Sequence, residues 1–131
     1  MDRVIDRIWI GSTRDIGQPL QALGFSGVVD LRDGVHPRAD VPSFQLANRD
    51  GDPWNKSQVL DALDFLADSL KRGRVLVACM AGMSRSACMI IGHLVRAGFD
   101  EATAYSMVRR ARPKIAPIPA MLNSVMTAVR G

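Results

Sequence analysis

Aromatic residues and long apolar runs are both scarce in this chain. Its 131 residues include two tryptophans, one tyrosine and four phenylalanines. These are too few for the stacking side chains that accompany basic residues on a nucleic-acid surface. No apolar run approaches the roughly 20 residues that a bilayer-spanning helix needs. The sequence therefore predicts neither a nucleic acid nor a membrane as a partner.

Cysteines and processing signals are equally sparse. Cys79 and Cys88 are the two cysteines, and two cysteines do not suggest the disulfide framework of a small secreted domain. The opening residues 1–3 lack the apolar core of a secretory signal, so a cytoplasmic location is expected. No repeat or linker occurs, and the length fits one domain covering residues 1–131. No cluster of ligands has metal-binding spacing, so neither a metal nor a cofactor is expected.

Charge is mildly unbalanced toward the positive. Lysine and arginine total 17 against 13 acidic residues, for a formal net charge of +4. Such an excess is ordinary for a protein surface, and it also attracts anionic substrates such as phosphorylated groups.

The most informative stretch surrounds Cys79. Four apolar residues, 75–78, precede this cysteine, Arg85 follows after five intervening residues, and residues 87–97 have helical apolar spacing. This order predicts a strand, a tight loop and a helix. Such a loop directs backbone N–H groups and the positive end of the helix dipole at one point, where the Arg85 guanidinium adds paired donors for an oxyanion. The same field favours the thiolate form of Cys79, so one loop supplies an anion site and a nucleophile.

These residues resemble the signature of the cysteine-dependent protein phosphatases, C-x5-R-S/T. The segment Ala81–Ser86 is most similar to the dual-specificity branch of the protein tyrosine phosphatase superfamily. Ile8–Ser12 resembles the opening strand and turn of that family, and Arg112–Pro117 resembles the segment before its last helix. The resemblance implies hydrolysis of phosphotyrosine, with phosphoserine and phosphothreonine as further substrates, through a phosphocysteine intermediate. The implied partners are a phosphorylated protein and, in the loop, inorganic phosphate or another oxyanion.

The resemblance also implies a role for each residue of the loop. Cys79 is the expected nucleophile, Arg85 holds the phosphoryl oxygens, and Ser86 hydrogen-bonds the departing thiolate. The expected substrate-binding residues are Met80, Ala81, Gly82, Met83, Ser84 and Arg85.

A proton donor for the leaving oxygen is also required, and two aspartates precede the loop. The family pattern places an asparagine five residues after the acid, and Asn55 stands five residues after Asp50. Asp50 is therefore the predicted general acid, with Asn55 as a supporting residue. Asp52 remains the alternative, although it precedes Pro53 in a dipeptide that is common in turns.

Ala78 departs from the family pattern, in which histidine normally precedes the cysteine. Alanine can neither brace the loop nor donate a hydrogen bond, and losing one such bond in a charged network costs about 1.5–3 kcal/mol. We therefore expect an active but weakened enzyme, with a catalytically weak phosphate-binding module as the alternative. A rhodanese-like sulfurtransferase is a less favoured alternative, because its cysteine loop is typically one residue shorter.

Strands and helices are predicted to alternate along the chain. The predicted strands are 4–10, 28–31, 43–46 and 74–78, and the predicted helices are 15–23, 56–72, 87–97, 101–111 and 117–129. This alternation indicates an α/β fold, a three-layer sandwich with a mostly parallel sheet of four to five strands, as in phosphotyrosine phosphatases. The site should lie at the carboxyl end of a strand, where open α/β sheets bind ligands.

Overall fold

The strand that leads into the cysteine loop lies at the centre of a five-stranded sheet in the computed structural model, which describes residues 1–131. The strands are β1 (Asp2–Ile5), β2 (Ile8–Gly11), β3 (Phe25–Asp30), β4 (Ser43–Gln45) and β5 (Arg74–Ala78). Their spatial order is β1-β2-β5-β3-β4. Only the edge strand β1 pairs antiparallel, while β2, β5, β3 and β4 pair in parallel. The predicted α/β fold with a mostly parallel sheet is confirmed.

Five helices accompany the sheet: α1 (Thr13–Ile16), α2 (Lys56–Leu70), α3 (Arg85–Arg96), α4 (Glu101–Ala111) and α5 (Pro119–Arg130). The helix α2 begins at a capping box, in which the Asn55 side chain accepts from Gln58 N at 2.9 Å and Gln58 Oε1 accepts from Asn55 N at 3.0 Å. No helix is both long enough and apolar enough to span a membrane.

The two faces of the sheet bury clusters of very different size. The larger cluster has 25 buried residues and is formed by α2 to α5 with one face of the sheet. The smaller cluster has seven buried residues and lies under α1 and the turns that follow it. Along β5 the side chains alternate between the two, because successive strand residues point to opposite faces: Val75 and Val77 join the larger cluster, and Leu76 and Ala78 the smaller.

The prediction of one strand over 4–10 is wrong. That segment is a hairpin, in which β1 and β2 are joined by a turn at Asp6 and Arg7. Asp6 adopts a positive φ of 51°, a conformation that reverses the chain and that aspartate tolerates better than most residues.

The prediction of a helix over 15–23 is also wrong. The helix α1 covers only Thr13–Ile16, with Gly17 as its C-cap, and the residues beyond it form turns. Pro19 lacks the N–H that a continuing helix would use. The other predicted elements occur, most of them with ends shifted by one to three residues. One shift matters for the site: α3 starts at Arg85 rather than at residue 87.

Candidate active site

Cys79 follows directly on β5, at the carboxyl edge of the sheet, and Arg85 and Ser86 are the first two residues of α3. The thiol residue is only 2% exposed and lies at a pocket of about 350 Å³. The pocket is lined by Asp50, Cys79, Met80, Ala81, Met83, Ser84, Arg85, Ala116 and Ile118. The structure therefore brings the predicted acid and most of the predicted loop residues to one cavity, while Gly82 and Ser86 do not line it.

The backbone of the cysteine loop has its carbonyl groups tied to neighbouring segments. The carbonyls of Met80, Ala81 and Met83 accept hydrogen bonds from Thr13 N (3.3 Å), Arg112 Nη2 (3.1 Å) and Ala116 N (2.8 Å), respectively. By contrast, no N–H from Met80 to Ser84 donates to another backbone group. The C=O and N–H of a trans peptide point in opposite directions. Because these carbonyls point out of the loop toward neighbouring segments, the N–H groups of the same peptides point into the loop. The loop thus presents a set of amide donors suited to an anion.

Gly82 allows this loop to turn. Its φ is +70°, and a Cβ at this position would lie 2.5 Å from the Gly11 carbonyl oxygen and 2.9 Å from Arg112 Nη2. Both the backbone conformation and the close approach require glycine.

Arg85 is held rigidly although it carries a charge. It is 5% exposed, and its Nη1 donates to the carbonyls of Leu31 at 3.2 Å and Asn48 at 2.7 Å. Its Nε is buried without a hydrogen-bond partner and lies 3.7 Å from Asp50 Oδ1. The two carbonyls orient the guanidinium through Nη1, and the unpartnered Nε–H is a donor for an oxyanion in the pocket.

Ser86 lies beside the nucleophile candidate. Its Oγ is 3.3 Å from Cys79 Sγ, and the residue is fully buried, so the hydroxyl can donate to a sulfur that carries negative charge.

The second cysteine, Cys88, does not line the pocket, and burial raises the pKa of its thiol to about 12. Cys88 is therefore a buried thiol that is poorly suited to act as a nucleophile.

The two candidate acids occupy different environments. Asp50 lines the pocket with its side chain 51% exposed, whereas Asp52 is exposed and does not line it. Asn55 does not line the pocket either, since its side chain caps α2. The structure thus places Asp50 with Cys79 and Arg85, and leaves Asp52 and Asn55 outside.

Ala78 makes no polar contribution to the site. It is fully buried and its side chain belongs to the smaller apolar cluster. Backbone contacts steady this point instead, because the Ala78 carbonyl accepts from Leu31 N at 2.9 Å and Cys79 N donates to the Gly11 carbonyl at 3.4 Å.

Two residues around the loop were missed by sequence reasoning. Arg112 bridges the Ala81 carbonyl and Asp2, with Nη1 2.8 Å from Asp2 Oδ2. Met121 on α5 places its sulfur 3.2 Å from Gly51 N and 3.9 Å from Ser84 Oγ. Arg112 lay in a segment already singled out by resemblance, but no sequence signal marked Met121.

Comparison with known proteins gives a consistent result. Mouse dual specificity protein phosphatase 19 is 46% identical over 71 residues, covering 51% of this chain and 31% of that protein. Human dual specificity protein phosphatase 1 is 31% identical over 110 residues, covering 75% of this chain and 28% of that protein. The chain thus spans less than a third of either relative.

Solved structures share the fold over nearly the whole chain. Human DUSP28 superposes with a TM-score of 0.90 at 23% identity, covering 99% of this chain and 96% of that chain. A mouse putative dual specificity phosphatase complexed with zinc tungstate gives a TM-score of 0.87 at 25% identity, covering 98% and 86%. The family model for the dual specificity phosphatase catalytic domain matches residues 8–130. With that match and the geometry of the cysteine loop, the chain belongs to the dual specificity phosphatase catalytic-domain family.

Proposed function

We propose that residues 1–131 form one catalytic domain that dephosphorylates proteins, acting on phosphotyrosine and also on phosphoserine and phosphothreonine, through a phosphocysteine at Cys79. The observation that carries this proposal is the pocket in which the Cys79 thiol, the Arg85 guanidinium and the Asp50 carboxyl meet. Membership of the family supports the same activity.

In the first step the Cys79 thiolate attacks phosphorus in line with the leaving oxygen. A sulfur–phosphorus bond forms while the phosphorus–oxygen bond breaks, and Asp50, as the neutral acid, gives its proton to the leaving oxygen. The equatorial oxygens are held by the amides from Met80 to Arg85 and by the guanidinium of Arg85. The fixed loop supplies these donors without rearrangement.

In the second step water attacks the phosphorus of the phosphocysteine. Asp50, now a carboxylate, takes a proton from that water, and the sulfur–phosphorus bond breaks to release inorganic phosphate. Ser86 Oγ, 3.3 Å from Cys79 Sγ, donates to the departing thiolate. Inorganic phosphate is therefore both a product and an expected ligand of the loop.

The walls of the pocket favour phosphotyrosine among the proposed substrates. Apart from Asp50, Ser84 and Arg85, the lining is apolar, with Met80 and Met83 from the loop and Ala116 and Ile118 from the segment before α5. Such walls suit an aromatic ring, and no lysine of the loop is available for additional phosphate groups. The mouse relative complexed with zinc tungstate supports an oxyanion as loop ligand.

The chemistry also suggests a reducing compartment. Cys79 and Cys88 are both free thiols, and the proposed nucleophile works only while it is reduced. This agrees with the expected cytoplasmic location.

The experiment that tests the proposal is the pH–rate profile for hydrolysis of phenyl phosphate, with Cys79→Ser as the control. We expect activity in the native chain, a lower rate on the alkaline side, and no activity in the control. Hydrolysis that survives in Cys79→Ser would overturn the proposal. If the native chain is inactive at every pH but binds vanadate, the phosphate-binding alternative suggested by Ala78 is correct.

A further inference from the structure

The loop that carries Asp50 is fastened to the last helix at two points. Gly51 N donates to Met121 Sδ at 3.2 Å, and Trp54 N donates to Ser124 Oγ at 3.2 Å. The Ser124 hydroxyl in turn donates to the Met121 carbonyl at 2.7 Å. One turn of α5 therefore holds this loop after Asp50, while Arg85 Nη1 holds it before Asp50 through the Asn48 carbonyl.

The contact at Gly51 bears directly on the proposed acid. The Gly51 N–H belongs to the same planar peptide unit as the Asp50 carbonyl, so holding that N–H also fixes the Asp50 Cα. The Asp50 side chain has little else to hold it, since it is 51% exposed and its one ion pair, with Arg85 Nε, is 3.7 Å long. Gly51 has a φ of +99°, so the chain turns sharply just after Asp50.

The same sulfur also reaches the cysteine loop. Ser84 Oγ lies 3.9 Å from Met121 Sδ, and this hydroxyl accepts from Ile118 N at 3.4 Å. Met121 itself is fully buried. Its thioether, a weak acceptor, is thus placed between the segment that carries the acid and the loop that carries the nucleophile.

We propose that Met121 is a positioning residue: its sulfur holds the Gly51 amide and so keeps the Asp50 carboxyl over the phosphoryl pocket. The inference rests on the proposed function, in which Asp50 protonates the leaving oxygen. Leucine in place of Met121 keeps the volume of the side chain and removes only the acceptor, a swap that buried sites tolerate well.

The first test compares kcat/KM for phenyl phosphate and 4-nitrophenyl phosphate in the native chain and in Met121→Leu. This quantity reports steps up to formation of the phosphocysteine. Phenolate is a poor leaving group and needs the proton, whereas 4-nitrophenolate needs it far less. We expect about a five- to tenfold loss with phenyl phosphate and less than about a twofold loss with 4-nitrophenyl phosphate. Equal losses, or none, would overturn the inference.

Met126→Leu is the matched control, because Met126 is a buried methionine on the same helix, 4% exposed, and does not line the pocket. Met126→Leu should leave kcat/KM unchanged for both esters.

In an Asp50→Asn background, Met121→Leu should cause no further loss of kcat/KM with phenyl phosphate, since a residue that acts through the acid has nothing left to position. An additive loss there would show that Met121 acts on the cysteine loop alone.

A measurement that needs no turnover separates this inference from the proposed function. Hydrogen exchange of the Gly51 amide, followed by NMR, should be faster in Met121→Leu than in the native chain and in Met126→Leu. If the native chain hydrolyses neither ester, the proposed function fails while the exchange rate still decides whether Met121 holds Gly51. Unchanged exchange at Gly51 would refute the contact itself.

Discussion

Gly82 is the residue on which the shape of the cysteine loop depends. In Gly82→Ala, a φ of +70° would cost about 1–2 kcal/mol, and the new Cβ would lie 2.5 Å from the Gly11 carbonyl oxygen, so the backbone would have to shift. We expect vanadate affinity to fall at least about tenfold, as measured by calorimetry. Gly98→Ala is the control, because Gly98 also has a positive φ, +114°, but open space around its Cβ position. Gly98→Ala should lower stability and leave vanadate binding intact.

Asp50 and Asp52 are close in sequence and differ in position, so a paired substitution distinguishes them. Asp50→Asn should lower kcat/KM for phenyl phosphate by about a hundredfold, the ordinary contribution of a general acid, with vanadate binding nearly unchanged. Asp52→Asn should change neither, because Asp52 lies outside the pocket lining. If Asp52→Asn produced the large loss instead, the assignment of the acid would be wrong.

At the residue scale, sequence reasoning works where the chemistry is local. Cys79, Arg85 and Ser86 lie within eight positions, and their spacing implies the loop that joins them. Arg112 donates to the carbonyl of Ala81, 31 positions away, and the Met121 thioether accepts from the amide of Gly51, 70 positions away. Neither a backbone carbonyl nor a buried methionine has a sequence signature, so contacts of this kind are visible only in the folded chain.

Among the elements, α3 packs closely against α5 at Gly92. A Cβ on Gly92 would overlap Val125 Cγ1 of α5. The valine side chain is short and β-branched, so it cannot easily move out of the way. We expect Gly92→Ala to lower the free energy of unfolding by about 1–3 kcal/mol, seen as a fall of several degrees in Tm.

The control for this prediction is Gly17→Ala. Gly17 has a φ of −80°, and the nearest atom to its Cβ position, the Arg14 carbonyl oxygen, is at an ordinary contact distance of 3.7 Å. Alanine there should be neutral or slightly stabilising. A Gly92→Ala chain that melts at the same temperature as Gly17→Ala would show that the two helices can move apart at little cost.

The elements that sequence reasoning identified correctly are those with strong periodicity and clear ends. The helix α4 matches its predicted bounds of 101–111, because Asp100 caps it, accepting from Thr103 N at 2.7 Å, and Pro113 follows its end. The β1–β2 hairpin was missed because apolar residues continue on both sides of Asp6 and no glycine marks its turn. The turn at Asp6 forms because β1 pairs with β2, and a local sequence pattern does not show that pairing.

On the scale of the whole molecule, His93 makes stability depend on pH. Burial, with a smaller effect from the positive charge of Arg96, lowers the pKa of His93 below its usual 6.5. The unfolded chain then binds a proton that the folded chain does not, so stability falls as the pH drops below about 6.5. We expect Tm to decrease between pH 7 and pH 5.5, and this decrease to be smaller in His93→Gln.

His36 supplies the comparison for the pH experiment. It lies in an exposed loop, where its Nε2 is 2.6 Å from the Asp33 carbonyl. His36→Gln removes an imidazole that is not buried, so it controls for the loss of a histidine as such. If Tm changed with pH equally in His93→Gln, His36→Gln and the native chain, burial of His93 would not be the source of the pH dependence.

The tethered carbonyls of the cysteine loop have a consequence for how the protein is made. Their donors are Thr13, Arg112 and Ala116, so segments on both sides of the motif complete the anion site. A ribosome adds Cys79 to Ser86 well before Arg112 and Ala116, and folding during synthesis proceeds from the N-terminus. A growing chain thus carries the whole signature while two of its carbonyls still lack partners. The proposed nucleophile gains its complete anion site only when the segment that holds Arg112 and Ala116 has reached the loop. A shorter growing chain would display the motif without that site.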